Sequence, residues 1–278
     1  MRGLAGKSVI ITGAGRRRGL GEGIAARFVE EGCNVLIADL DRPDGEAFPE
    51  HGVPAPSEMD AVARDLRALG SGRVETFVCD VRDELQVAAM VDHAAAAFGS
   101  VDVLINNAGV GYLMSPVVDT SADDWDVVLG VNLKGTFLAT KYAARRMIAQ
   151  GRGGRIINIS SQGGKSGFPH ASAYVSSKHG VIGFTRSVAI ELGPHGITVN
   201  AVCPNHVTTG LGSWQNDYFS ALLGQTLDEY LAGMRSRIPM GRTGLPSDIA
   251  AACAFLASED GQYISGDALN VSGGEETH

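Results

Sequence analysis

The stretch Thr12-Gly13-Ala14-Gly15-Arg16-Arg17-Arg18-Gly19-Leu20-Gly21 follows an almost wholly apolar run, Ser8–Thr12, and opens an amphipathic one, Gly21–Gly32. Glycine at such a junction lets the chain turn tightly from strand to helix and lets backbone approach a ligand closely. The first turn of the helix offers free amides and a partial positive charge, the requirements of a pyrophosphate site. The next apolar run, Asn34–Asp39, ends in a carboxylate 18 residues beyond Gly21. An acid at that place can accept both hydroxyls of an adenosine ribose and repels a 2′-phosphate. Arg18, immediately before Gly19, pulls the other way, because a guanidinium can pair with that phosphate. The fixed repulsion from Asp39 outweighs a mobile arginine, which favours NAD over NADP.

Outward from this turn the pattern repeats. Further apolar runs occur at Arg73–Asp80, Asp102–Asn106, Arg155–Ser160, Ile197–Cys203 and Ala268–Val271. Helical patterns lie between them, near Ser57–Gly70, Asp83–Phe98, Ser121–Gln150, Ala171–Leu192 and Pro246–Ser258. Strands without polar alternation suit a parallel sheet buried on both faces. Strict strand–helix alternation, closed by right-handed crossovers, gives an α/β doubly wound, mainly parallel, seven-stranded Rossmann-type sheet. No repeat or low-complexity linker divides the chain, so residues 1–278 are expected to form one domain. Three stretches break the rhythm. Leu40–Pro56 reads as a proline-rich, acidic insertion, residues 208–240 with Trp214, Tyr218, Phe219 and Tyr230 as a short helical lid, and Gly273–His278 as a frayed tail.

The bulk chemistry narrows the partners. A formal charge of −8 disfavours nucleic acid and anionic membrane surfaces. No run approaches the roughly 18 apolar residues of a membrane span, and the N-terminus lacks the plan of a signal peptide. Cys33, Cys79, Cys203 and Cys253 lie far apart in no metal-ligand spacing, so buried free thiols in a reducing, cytoplasmic setting and no metal site are expected.

Tyr174 and Lys178 stand i, i+4 near the start of a predicted helix and so share a face. A phenol with an ordinary pKa of ~10 is a weak acid–base catalyst at neutral pH, and a nearby lysine cation draws that value down. Ser161 ends the strand Asn158-Ile159-Ser160-Ser161, 13 residues before Tyr174. Asn106-Asn107-Ala108-Gly109 ends another strand at the same carboxyl edge, where open parallel sheets bind ligands. Asn132 interrupts the apolar side of the helix predicted over Ser121–Gln150, and a buried amide there requires partners.

Taken jointly, these residues resemble the short-chain dehydrogenase/reductase family over nearly the whole chain. The shared motifs are the glycine turn, Asp80-Val81, Asn106-Asn107-Ala108-Gly109, Ser161, Tyr174-x-x-x-Lys178 and Ser272-Gly273-Gly274. The resemblance implies that Tyr174 is the general acid/base, that Ser161 hydrogen-bonds the substrate oxygen, and that Lys178 lowers the tyrosine pKa and holds the nicotinamide ribose. It implies that Asn132 anchors a water relaying protons to Lys178. Asp80 and Val81 are implied at the adenine ring, Asn107 at the adenosine ribose side and Thr209 at the carboxamide of nicotinamide, with Ala108, Gly109, Pro204 and Val207 as further implied cofactor contacts. Gly13, Arg18, Gly19, Leu20, Gly21 and Asp39 complete the implied cofactor set. A homotetramer built on the helices near Ser121–Gln150 and Ala171–Leu192 is also implied. Acid–base assistance of this kind is worth ~10²–10⁴-fold.

The chain departs from the family pattern at three places. Five residues separate Gly13 from Gly19, where three are usual; Pro204-Asn205 replaces the usual Pro-Gly; and the Leu40–Pro56 insertion is long. Expected pocket walls are Gly111–Met114, Gln162–His170 and Asn205–Phe219, with Gln162, Asn205 and Trp214 as substrate contacts beside Ser161 and Tyr174. They mix Leu113, Met114, Phe168 and Trp214 with Gln162, Lys165, His170, Asn205 and His206. Such walls fit a medium-sized polar secondary alcohol or ketone, polyols and sugar-like compounds included. Two alternatives stand beside this reading: an NADPH-dependent 3-oxoacyl-thioester reductase, and a non-catalytic nicotinamide-binding sensor or scaffold.

Overall fold

The computed structural model describes residues 1–40, 58–111, 114–207 and 209–278. Seven strands form one sheet, in the order β3-β2-β1-β4-β5-β6-β7, and every neighbouring pair is parallel. They are β1 (Ser8–Thr12), β2 (Asn34–Asp39), β3 (Val74–Val78), β4 (Val103–Asn106), β5 (Gly154–Ile159), β6 (Ile197–Pro204) and β7 (Ala268–Val271). The order reverses between β1 and β4, and the cleft described below opens at that switch point, beyond the carboxyl ends of the strands.

Alternate residues of β1 show why the sheet is apolar throughout. Val9 and Ile11 pack with Ile24 and Phe28 of α1 (Leu20–Glu30) and with Ile249 and Cys253 of α9 (Pro246–Ala257). Ile10 faces the other layer, among Met90 of α3 (Glu84–Phe98) and Leu138 and Met147 of α5 (Thr136–Gln150). Side chains on a strand alternate between faces, so two covered faces leave no polar register. The remaining helices among the described residues are α2 (Glu58–Arg67), α4 (Ala122–Leu129), α6 (Ser172–Leu192), α7 (Gly210–Leu222) and α8 (Leu227–Arg237). Helix starts follow local chemistry: Asp83 caps α3 through the amides of Leu85 and Gln86, and Thr226 and Glu229 form a reciprocal capping box on α8. The four cysteines are free and buried.

Two sequence expectations change. The single helix predicted over Ser121–Gln150 is three pieces, because residues Gly130–Gly135 wind as a π-helix between α4 and α5. Apolar periodicity continues through a wider turn, so the sequence pattern does not reveal it; such bulges are often found where a side chain must be aimed at a site. The tail is not frayed. Gly273 and Gly274 take left-handed conformations, Met240 donates its amide to Gly273 O at 3.1 Å, and Glu276 is buried. The stretch predicted as a lid, residues 208–240, holds the helix pair α7 and α8, with Thr208 outside the described residues. Of the predicted insertion, residues 41–56 fall outside them as well, as do Tyr112 and Leu113 of the expected pocket wall.

Candidate active site

The turn after β1 is built around close contacts. A Cβ on Gly13, whose φ is +66°, would lie 2.6 Å from Ala108 Cα, and one on Gly21 would lie 2.4 Å from Gly13 O. Asn107 braces the turn by donating its side-chain amide to Gly13 O at 2.7 Å and Thr12 O at 3.0 Å. Thr12 Oγ1 accepts the amides of Asn107 and Ala108, each at 3.1 Å. The glycines are therefore required by packing between β1 and β4 as well as by access to a ligand. Gly19 caps α1 without any side-chain bond, so the helix opens onto the cleft with its first amides free of a side-chain cap.

That cleft, of about 570 Å³, runs along the carboxyl edge of the sheet. Gly13, Gly19, Leu20, Asp39, Asp80, Val81, Asn107, Ala108 and Gly109 line one half; Ser161, Gln162, Tyr174, Lys178, Pro204, Asn205, Val207 and Thr209 line the other. An uncapped helix start, a glycine cradle without Cβ atoms and an acid at the end of β2 fit a dinucleotide laid across the switch point. Asp39 accepts the amides of Gly15 and Leu40, both at 2.8 Å. Burial pushes its carboxyl up to about 6, against those two bonds and the charge of Arg16. The Asp80 carboxylate is held by Arg82 at 2.6 Å.

The enlarged turn resolves its arginines individually. Arg16 lines the cleft, whereas Arg18, left-handed at φ 55°, lies outside the lining and donates its amide to Glu22. Arg17 pairs with Asp65 of α2 at 2.6 Å. The sequence assigns the role to Arg18 by adjacency to Gly19, but the backbone reversal at Arg18 leaves Arg16 as the arginine at the cleft. Gly21 also lies behind the lining, as a packing contact of Gly13.

At the other end, β5 and the start of α6 bring Ser161 and Tyr174 to one place in the cleft: a Cβ on Gly163 would lie 3.4 Å from Tyr174 Cε1 and 3.5 Å from Ser161 Oγ. Ser161 Oγ accepts the amide of Gly163 at 3.0 Å. Lys178 is 5% exposed, donates to Ile159 O at 2.8 Å and lies 5.7 Å from the Tyr174 ring centroid. Burial holds the Tyr174 phenol above its ordinary value, with Ser161 opposing, and pushes the Lys178 ammonium down to about 8. Both shifts have one cause, burial, which disfavours the charged form of each group.

Asn132 is not in the cleft lining. The π-helical turn aims it inward, where its Oδ1 accepts Val110 N–H at 2.8 Å. Its Nδ2 donates to Val110 O at 3.0 Å and to Ser177 Oγ at 2.9 Å. The buried amide is satisfied by structure: it ties α6 to the loop after β4, one turn below Tyr174. Trp214 is also outside the lining, stacked on Tyr218 with centroids 5.6 Å apart. Lys165, His170 and Met114 likewise do not line it, and His170 Nδ1 meets Tyr218 OH at 2.8 Å. Of the predicted wall and lid stretch, Phe219, Leu222, Leu223, Tyr230 and Met234 do line it, and so do two residues that no motif singled out, Arg237 and Glu275 of the tail. The aromatic content of the lid was the available signal for the first group. None existed for the last two.

Residues 13–276 match the family model described as enoyl-(acyl carrier protein) reductase. A short-chain dehydrogenase/reductase of Armillaria gallica is 37% identical over 270 residues, 97% of this chain and 95% of its own. A 3-oxoacyl-(acyl-carrier-protein) reductase of Staphylococcus aureus is 37% identical over 96% and 97% of the two chains. Among solved structures, carveol dehydrogenase from Mycobacterium avium in complex with NAD superposes with a TM-score of 0.90 at 31% identity, covering 99% of each chain. Levodione reductase superposes with a TM-score of 0.86 at 30% identity, covering 98% of each. With its switch-point cleft and its Ser161–Tyr174–Lys178 cluster, the chain belongs to the short-chain dehydrogenase/reductase family of nicotinamide-dependent oxidoreductases.

Proposed function

We propose that the protein interconverts a secondary alcohol and its ketone with NAD, on a medium-sized and largely apolar substrate. The observation that carries this is the convergence of Ser161, Tyr174 and the buried Lys178 on the cleft, at the junction of its two halves. When bound, the nicotinamide ring supplies hydride transfer. Tyr174 gives its phenolic proton to the carbonyl oxygen of a ketone, or receives the hydroxyl proton of an alcohol, and Ser161 orients that oxygen by hydrogen bonding. Lys178 contributes positive charge beside a phenolate in a site from which water is largely excluded. Gly13, Gly19, Leu20, Asp39, Asp80, Val81 and Asn107 are the residues assigned to hold the adenosine half, and Pro204, Val207 and Thr209 the nicotinamide half.

The lid supports the narrower substrate class. Phe168 packs on Tyr174 and on Phe219, both at 6.3 Å between centroids, and Phe219 stacks on Tyr230 at 6.5 Å. An aromatic wall favours a hydrocarbon frame around the reacting carbon over a polyol. The structural neighbours named for carveol and levodione accord with this choice. Asp39 at the end of β2 supports NAD, as does the neighbour solved with NAD. A second reading, the NADPH-dependent 3-oxoacyl-thioester reductase, is favoured by Arg16 in the adenosine half and by the Staphylococcus aureus relative. A homotetramer is supported by Phe137 of α5, 44% exposed and edge-on to Phe184 of α6 at 6.3 Å. A cytoplasmic setting is supported by the four buried thiols.

The test is a panel of cyclic, acyclic and polyhydroxylated alcohols and ketones, followed by dinucleotide absorbance at 340 nm with each cofactor. Turnover of apolar secondary alcohols with NAD, lowered about 10²–10⁴-fold in Tyr174→Phe, is the expected result. A tenfold preference for NADP overturns the cofactor assignment, and undiminished turnover in Tyr174→Phe overturns the catalytic one.

A further inference from the structure

The substrate half of the cleft contains an ion pair that the proposed chemistry does not use. Arg237, at the end of α8, reaches Glu275 of the tail at 3.3 Å, and both residues line the cleft. The other oxygen of Glu275 accepts the side-chain amide of Asn205, from the loop after β6. The pair is asymmetric: the Glu275 side chain is 16% exposed and that of Arg237 is 58% exposed.

The tail is held to place this carboxylate. Glu276 anchors it, accepting Ser166 Oγ on its carboxylate at 3.1 Å and Ser272 Oγ on its backbone carbonyl at 3.1 Å. The consecutive left-handed glycines Gly273 and Gly274 turn the chain back under Ile238 and Pro239. Asn205 stands where a glycine is usual in the family, so the bond it makes to Glu275 requires its side chain.

We propose that Glu275 is a specificity-determining residue: by neutralising Arg237 inside the cleft it excludes substrates that carry a carboxylate. The proposal rests on the oxidoreductase reading for the identity of the cleft as a substrate site. With Glu275 in place, a substrate carboxylate meets a partly buried negative group and must compete with it for the guanidinium. Without that charge, the lid presents an uncompensated arginine beside an apolar wall, a surface that selects anionic compounds. His206 lines the same end, and burial pushes its imidazole below the ordinary value, so it adds little charge at neutral pH.

The experiment is calorimetric titration, at low ionic strength and saturating NADH, with which an alcohol cannot react, of cyclohexanol and of cyclohexanecarboxylate into wild type, Glu275→Gln and the double variant Glu275→Gln/Arg237→Gln. Glutamine keeps an acceptor for Asn205 and removes only the charge. We expect the carboxylate-to-alcohol affinity ratio to rise about fivefold in Glu275→Gln, the scale of a partly exposed ion pair, and to return to the wild-type value in the double variant. A ratio unchanged within twofold, or a gain that persists without Arg237, overturns the proposal; a purely structural tail would shift melting temperature and leave the ratio alone. Failure of every variant to bind either probe also overturns it. The readout needs no turnover, so a cleft that binds cyclohexanol yet oxidises no alcohol sinks the oxidoreductase reading separately.

Discussion

Replacing Asn132 by alanine removes three hydrogen bonds at once, in a place 1% exposed to solvent. Val110 loses the acceptor of its amide and the donor to its carbonyl, and Ser177 Oγ loses its donor. A buried amide left without a partner costs about 1–3 kcal/mol, and each of the other two bonds about 1 kcal/mol, for a loss of roughly 3–5 kcal/mol. Unfolding entropy of about 2.1 cal/mol/K per residue, over 278 residues, makes each kcal/mol worth about 2 °C. The melting temperature of Asn132→Ala should therefore fall by about 5–9 °C, read by differential scanning calorimetry at pH 7.5. Because Ser177 also donates to Tyr174 O at 2.7 Å, turnover should fall through displacement of the first turn of α6. A melting temperature within 1 °C of wild type for Asn132→Ala would refute the assignment of this residue to structural bracing and return it to the cleft.

Two further outcomes follow from the adenosine half. Burial raises Asp39 to about 6, so its carboxylate, proposed above as the acceptor for ribose hydroxyls, is lost as pH falls through that value. NAD⁺ affinity, followed by fluorescence titration between pH 5 and 8, should weaken below about pH 6 in wild type and stay flat in Asp39→Asn; a flat wild-type profile counts against Asp39 as the ribose contact. The same raised pKa means the native state holds more protons than the unfolded chain between about pH 4 and 6, so this residue's contribution to stability declines as pH rises through that window. Gly13→Ala forces a Cβ to within 2.6 Å of backbone at a positive φ, and should cost about 2 kcal/mol or more along with dinucleotide binding. A folded Gly13→Ala protein with wild-type NAD⁺ affinity would show that the turn has room that the structure denies.

Much of this molecule is written locally. Runs such as Ser8–Thr12 and Arg155–Ile159 state that their strands are covered on both faces, and alternation with helices then leaves a doubly wound sheet with its cleft at the switch point. Tyr174 and Lys178 are legible because helix geometry alone puts residues four apart on one face. Contacts across the fold have no such local code. The partners of Asn132 are 22 and 45 residues away, and they meet because a π turn, invisible to apolar periodicity, rotates the amide inward. Arg16 rather than Arg18 faces the cleft because of one left-handed residue in a loop. Glu275 meets Asn205 across 70 residues only after β7 has taken its place beside β6. Sequence by itself determined the sheet, the turn and the placing of Tyr174 and Lys178 on one helix face, each the product of short-range spacing. Tertiary structure alone decided what surrounds that pair, since burial, charge neutralisation and the apolar lid arise between segments whose separation along the chain carries no record of their meeting.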